Sequence, residues 1–426
     1  MILLYQTISL LIYPLLILII FIRKYLGKED PKRFKEKIFV NHFNVKKKHH
    51  KLVWFHAASV GELQSIIPII KEFNKKNKNL EFLITTVTLS SSNLAKQEFK
   101  KLKNVYHRFF PIDVVFIIEK FIISWKPNFI ILVDSEIWPN LILKAKENKI
   151  PIGIINARIT AKTYKRWMLF PGVAKKIFGL LNFCLASSKE TKSYLLKLKA
   201  KKVKFLGNIK FANNFTNKNL NNINDKFLSS NKYWLGASTH KSEEVLCLKT
   251  HLELKKKFNK ITTIIAPRHI NRIEEIKNIC LDFKLNFQIL KKNKLISKNK
   301  EIILLNFFGG LSNFYKYTNS VFIGKSTIKK LKNDSGQNPL DAARFGCKIY
   351  HGPYVYNFRE IYNFLEKKNS AKKINDHIDL TANLVKDLKT VNKTYNKPSL
   401  DINKLGKKML TDTIKELNSF LFNAIK

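Results

Sequence analysis

The sequence predicts an α/β protein with two Rossmann-like domains that face a cleft, preceded by an N-terminal membrane-anchor helix. Three observations support this prediction. The chain has 426 residues, enough for two domains at roughly 100–200 residues each. From about residue 50 onward, short apolar runs alternate with amphipathic stretches, the pattern of doubly wound α/β folds. Residues 1–22 carry no charged side chain.

The N-terminal apolar segment is long enough to cross a bilayer as a helix, at roughly 20 residues per crossing. Basic residues follow it at once, namely Arg23, Lys24, Lys28, Lys32 and Arg33. By the positive-inside rule these residues place the rest of the chain in the cytoplasm. The segment therefore predicts a membrane anchor over residues 1–25.

Two other interpretations of this segment remain open. A secretory signal peptide has basic residues before its apolar core, a shorter core and a small-residue cleavage site, whereas here the basic residues come afterwards. Alternatively, residues 1–22 form a helix that lies in the membrane interface, with Tyr5 and Tyr13 as anchors and a kink at Pro14. Such a helix would also hold the body against the inner leaflet.

The apolar runs of the body form two series of candidate strands. In the first domain, residues 30–211, the candidates are 51–56, 81–86, 128–133, 151–155, 182–186 and 203–206. The asparagine-rich stretch 212–230 predicts the interdomain linker. In the second domain, residues 231–400, the candidates are 233–236, 261–266, 287–290, 302–305, 320–323 and 347–350. Residues 401–426 have apolar side chains at helical spacing, so they predict a C-terminal helix docked on the body.

The composition limits the possible functions. With 78 Lys+Arg against 31 Asp+Glu, the net charge is +47, which attracts nucleic acid, anionic lipid headgroups or phosphorylated substrates. Codon bias is a second origin for so many lysines. A nucleic-acid-binding protein is disfavoured because the charge is spread over the body, no nucleic-acid-binding motif occurs, and an apolar anchor is unexpected. The four cysteines form no CxxC pair, so we expect reduced thiols.

The first candidate segment is the loop after strand 51–56. Ser59 and Glu62 have the spacing of a capping box, in which Glu62 would bond back to the backbone of Ser59. Alternatively, Glu62 is a general base at the mouth of a strand-to-helix loop, with Gly61 opening space beside it. His56 is either a core histidine or a support for the site.

Two further segments of the first domain carry candidate residues near the predicted cleft. Asp134 and Glu136 follow the apolar run 128–133, and Pro139 starts a helix just after them. Acidic residues near a helix start need no function, because they complement the helix dipole. Lys210 lies at the end of this domain, where only its position at the predicted cleft distinguishes it from a surface lysine.

The second domain offers a comparable set of strand-to-helix loops. Ser238 and Thr239 are expected to cap a helix, and Arg268 is placed to hold a phosphate or carboxylate. Asn338-Pro339 starts a helix with Asp341 in its first turn, an arrangement suited to a nucleotide. The sequence has no GxGxxG, GxxxxGK[ST] or HExxH motif, so dinucleotide, P-loop and zinc-protease functions have no support.

Taken together and in this order, the motifs resemble those of the 3-deoxy-D-manno-octulosonic acid (Kdo) transferases of lipopolysaccharide synthesis. The matching pieces are HAASVGE (56–62), DSEIWPN (134–140), NAR (156–158), GNIKF (207–211), STH (238–240), APRH (266–269), GKS (324–326) and GQNPLDAARFG (336–346). Each piece alone is weak, but the ordered set is specific and covers nearly the whole body. The apolar N-terminus followed by basic residues also resembles that family.

The resemblance implies a glycosyltransferase of the two-domain GT-B type that uses CMP-Kdo as donor substrate and needs no cofactor and no metal. The acceptor would be the acylated, bisphosphorylated lipid A disaccharide precursor, at the cytoplasmic face of the inner membrane, so membrane lipids are expected partners and nucleic acid is not. By the same resemblance, Glu62 is the general base, and Glu136 and Lys210 stabilise the transition state. The positions that match the family's donor-binding segments are Pro267, Arg268, Phe308, Gly309, Gly310, Asn338, Pro339, Leu340 and Asp341.

Several positions depart from the family pattern. Asp134-Ser135-Glu136 stands where ETE is usual, and Gly310 stands where a donor-loop glutamate is usual. Lys325 replaces a usual glycine, Gln337 a usual histidine, and Asp341 a usual glutamate. The alternative is another membrane-tethered GT-B transferase with a different nucleotide sugar and lipid acceptor, which would be favoured if the missing glutamate at 310 reflects a different donor.

Overall fold

The structure is a computed structural model that describes residues 2–42, 50–77, 79–212, 223–307, 309–389 and 398–425. It divides into unit 1, formed by Met1–Asn214 with Leu405–Lys426, and unit 2, formed by Phe215–Lys404. Each unit holds a seven-stranded parallel sheet with helices around it. The predicted α/β class with two Rossmann-like domains is thereby confirmed.

Unit 1 is built on a sheet with the strand order β3-β2-β1-β4-β5-β6-β7. Its strands are β1 Lys51–His56, β2 Leu80–Thr86, β3 Val105–Phe109, β4 Phe129–Val133, β5 Ile152–Ala157, β6 Phe183–Ala186 and β7 Val203–Phe205. Its first helices are α1 Ile2–Tyr25, α2 Val60–Lys76, α3 Leu89–Phe99, α4 Val115–Trp125, α5 Pro139–Glu147, α6 Ala161–Trp167, α7 Pro171–Gly179 and α8 Lys189–Lys197. Three short 3-10 turns span Arg33–Lys37, Val40–His42 and Ile209–Ala212.

Unit 2 is built on a sheet with the strand order β10-β11-β9-β8-β12-β13-β14. Its strands are β8 Tyr233–Thr239, β9 Thr262–Pro267, β10 Phe287–Leu290, β11 Ile302–Leu305, β12 Ser320–Ile323, β13 Lys348–His351 and β14 Ala371–Lys373. Its helices are α9 Asp225–Ser230, α10 Glu243–Lys255, α11 Ile273–Asp282, α12 Leu311–Tyr315, α13 Leu340–Arg344, α14 Arg359–Lys367 and α15 His377–Lys389. Three 3-10 turns span Ile270–Arg272, Lys329–Asp334 and Tyr356–Phe358, and α16, Pro398–Ile425, ends the described chain.

Both faces of the unit 1 sheet are buried at its central strands, which explains why those strands read as apolar runs. Successive strand residues point to opposite faces, so Trp54 packs with the α4 side of the sheet while Phe55 packs with the α2 side. Phe121 of α4 contacts Trp54, with ring centroids 4.8 Å apart. The two cores hold β1 and β4 side by side at the centre of the sheet.

Helix α1 is long and apolar enough to cross a membrane by length and composition. One of its faces nevertheless contacts unit 1 along its length. The Tyr5 hydroxyl donates to Asp113 Oδ2 at 2.9 Å, the Tyr13 hydroxyl donates to the Ile38 carbonyl at 2.7 Å, and Ile20 packs with Phe34 and Ile38. The opposite face exposes an apolar stripe, which we call the outer stripe, formed by Leu4, Leu11, Leu15, Leu18 and Ile22.

Helix α16 packs on unit 1, as the helical spacing predicts. Ile414, Leu417 and Leu421 are buried in the core on the α2 side of the sheet. At Gly406 the helix passes so close to the Phe211 carbonyl that no β-carbon would fit there. This close approach fixes α16 against the 3-10 turn Ile209–Ala212.

All twelve predicted strands are confirmed: β1, β10, β11 and β12 have the predicted ends, and the ends of the others shift by one to three residues. The sequence analysis did not predict two of the strands. They are the edge strand β3, whose side chains are mostly half-buried, and β14, whose last two residues are exposed lysines. Within the expected linker 212–230, residues 225–230 form α9, and residues 213–222 lie outside the described residues.

Candidate functional site

The acidic and basic candidates of unit 1 meet at the carboxyl edge of its parallel sheet. Strands β1 and β4 are neighbours with His56 opposite Leu132, so the loops after them start side by side. The β1 loop leads to Glu62, and the β4 loop carries Asp134 and Glu136. In open parallel sheets, ligands bind at this edge. Glu62, Glu136 and Lys210 therefore come together in unit 1.

Glu62 both caps helix α2 and faces the other carboxylates. Its Oε2 accepts from the backbone amide of Ala58 at 2.7 Å, and its Oε1 accepts from the Ser59 hydroxyl at 2.8 Å. The Ser59 hydroxyl oxygen in turn accepts from the Glu62 amide at 3.4 Å. The expected backbone partner, Ser59, is thus wrong by one residue, because the side chain reaches one residue further back to the amide of Ala58.

The pKa of the Glu62 carboxyl is raised to about 7. Burial is the largest cause, and the nearby carboxylates of Asp134 and Glu136 add to it. The two hydrogen bonds from Ser59 and Ala58 act in the opposite direction, because they stabilise the charged form. A carboxyl with a pKa near neutrality can take a proton during a reaction and release it again at physiological pH.

Glu136 is held in place by aromatic and imidazole donors. Its Oε2 accepts from the indole nitrogen of Trp138 at 2.9 Å and lies 3.2 Å from His56 Nε2. The His56 ring is fully buried, and its Nδ1 lies 3.0 Å from the Thr85 hydroxyl. Nδ1 also lies 3.2 Å from the Thr85 carbonyl, and an Nε2–H that donates to Glu136 Oε2 fits this pattern. His56 therefore supports the site.

Lys210 is oriented by Asp134. Its Nζ lies 2.9 Å from Asp134 Oδ2, and the two side chains are 17% and 6% exposed. Asp134 leaves β4 with a φ of 63°, a left-handed conformation that is uncommon for residues other than glycine. Asn156, near the end of β5 and also at positive φ, accepts the Ile209 amide through its Oδ1 at 3.1 Å. Asp134 and Asn156 together position the turn that carries Lys210.

The donor-binding candidates of unit 2 follow several strands of its sheet. Pro267 ends β9, the exposed Arg268 comes next, and Gly309 and Gly310 lie between β11 and α12 with φ values of 79° and 78°. Phe308 lies outside the described residues. The Gly310 backbone is one that a side chain would strain, so the missing glutamate coincides with a conformation that favours glycine.

The remaining donor-binding candidates form a helix start. Asn338 Oδ1 accepts from the Leu340 amide at 3.1 Å, Pro339 immediately precedes α13, and Asp341 lies in its first turn. The predicted helix at Asn338-Pro339 is confirmed. Helix α13 packs against α12, which places this helix start close to the Gly309-Gly310 loop.

Glu243 connects the loops of unit 2, and the sequence analysis did not identify it. Its buried carboxylate accepts from the amides of His240, Lys325, Ser326 and Thr327 at 2.6–3.0 Å, and from the Thr327 hydroxyl at 3.0 Å. The amides after β12 that would suit a phosphate therefore bind a carboxylate of the chain itself. The expected caps Ser238 and Thr239 are wrong: α10 begins after Ser242, and Glu243 binds back to His240.

The segments Thr239–Glu243 and Lys325–Thr327 are joined by the Glu243 carboxylate, and we call them the Glu243 loop. Hydrogen bonds connect this loop to the donor-binding candidates. The amide of Arg268 donates to the Thr239 carbonyl at 2.9 Å, and the amide of Gly336 donates to the Lys325 carbonyl at 2.6 Å. Lys325 itself has a φ of 55°, which explains why glycine is usual there. Hydrogen bonds thus connect Arg268, the Glu243 loop and the segment that leads to Asn338.

Neither the histidines nor the cysteines suggest a metal centre. In the described part of the chain, no three His, Cys, Asp or Glu residues cluster as metal ligands would. Cys184, Cys247, Cys280 and Cys347 are buried and free, as expected for reduced thiols.

Comparison with known proteins identifies the relatives of this chain. A family profile described as 3-deoxy-D-manno-octulosonic-acid transferase (kdotransferase) matches residues 32–213. The 3-deoxy-D-manno-octulosonic acid transferase of Rickettsia prowazekii is 30% identical over 473 residues, covering 99% of this chain and all of the relative. The transferase of the same name from Haemophilus influenzae is 27% identical over 341 residues, covering 79% of this chain and 78% of the relative.

A solved structure supports the fold. The UDP-GlcNAc 2-epimerase from Methanocaldococcus jannaschii matches with a TM-score of 0.55 and 16% identity, covering 85% of this chain and 99% of that one. At this identity the likeness shows the fold alone. It agrees with the expected GT-B type of architecture, with two parallel α/β domains in one chain.

Proposed function

The chain belongs to the 3-deoxy-D-manno-octulosonic acid (Kdo) transferase family and is a glycosyltransferase, and from this premise we propose that it moves Kdo from CMP-Kdo to the lipid A disaccharide precursor. An acceptor hydroxyl oxygen attacks the anomeric carbon of Kdo, the bond from that carbon to the CMP phosphate oxygen breaks, and CMP leaves as the anion. The configuration inverts because attack and departure occur on opposite faces.

The observation that carries this proposal is the environment of Glu62. Its pKa of about 7 makes it a base that is partly ionised at neutral pH and can accept the hydroxyl proton. The capping bonds from Ala58 and Ser59 fix the carboxylate, so proton transfer requires little reorganisation. In this mechanism the acceptor proton moves to Glu62 as the new glycosidic bond forms.

Lys210 and Glu136 are proposed to act on the charges that develop during transfer. Asp134 directs the Lys210 ammonium, which stabilises negative charge on the departing phosphate or on the Kdo carboxylate. Glu136, fixed by His56 and Trp138, stabilises the positive charge of an oxocarbenium-like sugar. Both roles depend on polar partners that hold the side chains before substrate binds.

Donor binding is assigned to the carboxyl edge of the unit 2 sheet. Pro267 ends β9 and Arg268 follows it, the segment 308–310 precedes α12 in sequence, and residues 338–341 lead into α13. The exposed guanidinium of Arg268 is suited to a phosphate or carboxylate of CMP-Kdo. Asn338 and Asp341 are suited to the hydroxyl and amino groups of the cytidine.

The proposed location is the cytoplasmic face of the inner membrane. Helix α1 fits a membrane anchor by length and composition, and the basic residues that follow it favour the cytoplasmic side. A strongly basic protein at this surface attracts both an anionic donor and a phosphorylated lipid acceptor. The acceptor is then presented at the membrane that holds the enzyme.

The experiment that tests this function is a mass-spectrometric transferase assay on membranes containing the protein, supplied with the lipid A disaccharide precursor and freshly generated CMP-Kdo. The wild type is expected to add Kdo, and Glu62→Gln is expected to lose at least ~10²-fold in rate, the low end for a general base. Glu190→Gln, an exposed carboxyl on α8, should retain wild-type activity.

Each result has a distinct meaning. No product from folded wild type would overturn the Kdo assignment and favour a different nucleotide sugar, which a donor panel would identify. Product from wild type and Glu62→Gln at similar rates would keep the reaction and leave Glu62 only the role of helix cap.

A further inference from the structure

A groove runs between α1 and the carboxyl edge of the unit 1 sheet, and we call it the α1 groove. Its volume is about 620 Å³, within the range of roughly 300–1,000 Å³ that is common for small-molecule sites. Apolar side chains line both walls, namely Ile12, Leu16 and Ile19 from α1 and Phe110, Ile112 and Trp138 from the sheet edge. An apolar occupant therefore suits it.

The helix wall of the groove is fastened by polar contacts. Tyr5 and Tyr13 bond to Asp113 and the Ile38 carbonyl, one near the start of α1 and one at its middle. Asp113 also accepts from the amides of Asn140 and Leu141 at 3.0 and 2.9 Å, so the same carboxylate caps α5. These bonds hold α1 over the groove in one position.

One part of the groove reaches the candidate catalytic site. Ala58, whose amide binds the Glu62 carboxylate, lines it, as do Glu136 and Trp138. A molecule in the groove would therefore extend to the carboxylates that the proposed mechanism uses. No separate channel is needed to connect an apolar tail with the reacting hydroxyl.

The groove also has a charged part. Arg23 and Lys37 both pair with the buried Glu29, so two cations share one anion. Lys24 and Lys28 lie exposed close by in sequence. Arg23 and Lys37 against Glu29 leave a net positive charge at this end of the groove, whereas Asp113 and Glu136 line its other parts. The positive end complements an acidic headgroup.

We propose that the α1 groove takes an acyl chain of the phosphorylated lipid acceptor and thereby sets the acceptor hydroxyl beside Glu62. This inference rests on the proposed function. The chain would pass from the apolar bilayer into an apolar groove, so its burial adds little affinity. The benefit is orientation, because a tethered hydroxyl next to a fixed base reacts faster than a free one.

The first test compares two acceptors, the acylated disaccharide bisphosphate and the same molecule with its acyl chains removed. Wild type is expected to have at least ~10-fold higher kcat for the acylated acceptor, because the chain fixes its orientation. Ile12→Trp fills the groove and should lower the rate with the acylated acceptor only. Leu11→Trp, its neighbour on the outer stripe at 74% exposure, should keep the wild-type preference.

The second test places a photoreactive diazirine at the end of an acyl chain of the acceptor. Labelling is expected at the groove residues Ile12, Leu16 and Ile19 and in the peptide that contains residues 110–114, and an excess of unlabelled acceptor should compete with it. Labelling that only bulk phospholipid competes away would make the groove a site for membrane lipid and overturn the proposal. Labelling confined to the outer stripe would do the same.

The outcomes separate this inference from the proposed function. If wild type transfers Kdo equally well to both acceptors, the function stands and the groove proposal is wrong. If wild type transfers to neither acceptor, the function itself has failed. If Ile12→Trp and Leu11→Trp reduce transfer to the acylated acceptor alike, the effect comes from the helix and not from the groove, which also overturns the proposal.

Discussion

At the scale of single residues, the carboxyl edge of the unit 1 sheet concentrates acidic groups that would repel one another if all were charged. Each has its own polar partners: Glu62 has Ser59 and Ala58, Glu136 has His56 and Trp138, and Asp134 has Lys210. Glu62 lacks a cation among its bonded partners, and its pKa is raised to about 7. This raised pKa suits Glu62 to proton transfer.

The pH dependence of the reaction follows from this arrangement. Glu62 must be ionised to act as a base, so kcat/KM should rise with pH through about 7. Removing the negative charge in Glu136→Gln lowers the pKa of Glu62, so the rising limb should shift to lower pH. The shift should be less than about 1 pH unit, because burial and not Glu136 is the largest cause.

A pH–rate profile for wild type, Glu136→Gln and the exposed-site control Glu190→Gln checks this prediction. The control should keep the wild-type limb. A limb that stays in place or moves to higher pH in Glu136→Gln would show that another group titrates, whatever the loss in maximal rate.

Glu243 gives a prediction about stability in unit 2. Its buried carboxylate accepts four amides and one hydroxyl, so Glu243→Gln replaces one acceptor oxygen with a donor that faces other donors. The free energy of unfolding of unit 2 should fall by about 2–4 kcal/mol, because bonds to a charged group are strong and unpaired buried groups are costly. Chemical denaturation followed by tryptophan fluorescence measures the change.

The matched control for Glu243 lies on the same helix. Glu253→Gln removes a carboxylate from the surface of α10, where it pairs with the exposed Lys256, and should change the stability by less than about 1 kcal/mol. Equal effects of the two substitutions would show that the loop after β12 does not depend on Glu243.

At the scale of secondary-structure elements, the sequence predicted those segments whose residues agree with their environment. Strand β4 is buried and apolar throughout, and β1 is buried and apolar from Leu52 to Phe55, so the sequence pattern was sufficient. Edge strands β3 and β14 expose part of their length, and their Tyr, His, Arg and Lys side chains obscure the pattern.

The candidate site likewise contains residues that the sequence could indicate and residues that it could not. Glu62, Glu136 and Lys210 stand in recognisable motifs at the ends of predicted elements, so the resemblance could indicate them. Glu243 could not be found in this way, because its partners at 325–327 are about 80 residues away in sequence and are backbone amides, which carry no sequence signal. The docking of α1 along unit 1 was equally hidden, because either a spanning or an interfacial helix fits its composition.

Two helical glycines give a prediction about how α16 supports the site. In Gly406→Ala the new methyl group would meet the Phe211 carbonyl, next to Lys210, so α16 or the turn must shift. We expect a lower melting temperature and a loss of kcat. Gly172→Ala, on α7, has open space around the new methyl group and should gain up to about 1 kcal/mol from helix propensity.

Thermal unfolding and the transferase assay on the two glycine variants check this prediction. Helix propensity favours alanine at both positions, so a difference between them reports the contact with Phe211. If Gly406→Ala were as stable and as active as wild type, α16 would have no part in positioning Lys210.

At the scale of the whole molecule, two features favour a membrane surface. The net charge of +47 attracts anionic headgroups, and the attraction weakens with salt because the Debye length falls from about 10 Å at 0.1 M to about 3 Å at 1 M. The outer stripe of α1 is suited to the apolar part of the bilayer, and such a contact would not weaken with salt. The two contributions can therefore be separated by ionic strength.

We expect the full chain to bind vesicles of mixed zwitterionic and anionic lipids, and to stay partly bound in 1 M salt. The double substitution Leu11→Glu and Leu18→Glu changes the net charge by only 2 of 47 but puts carboxylates into the outer stripe, so binding in 1 M salt should be lost. The matched control is Leu281→Glu with Leu295→Glu, two exposed leucines of unit 2, which should bind like wild type. Co-sedimentation measures the bound fraction. If the α1 double variant stays bound in 1 M salt, the anchor lies elsewhere in the chain; if both pairs lose binding equally, charge and not the outer stripe holds the protein to the membrane.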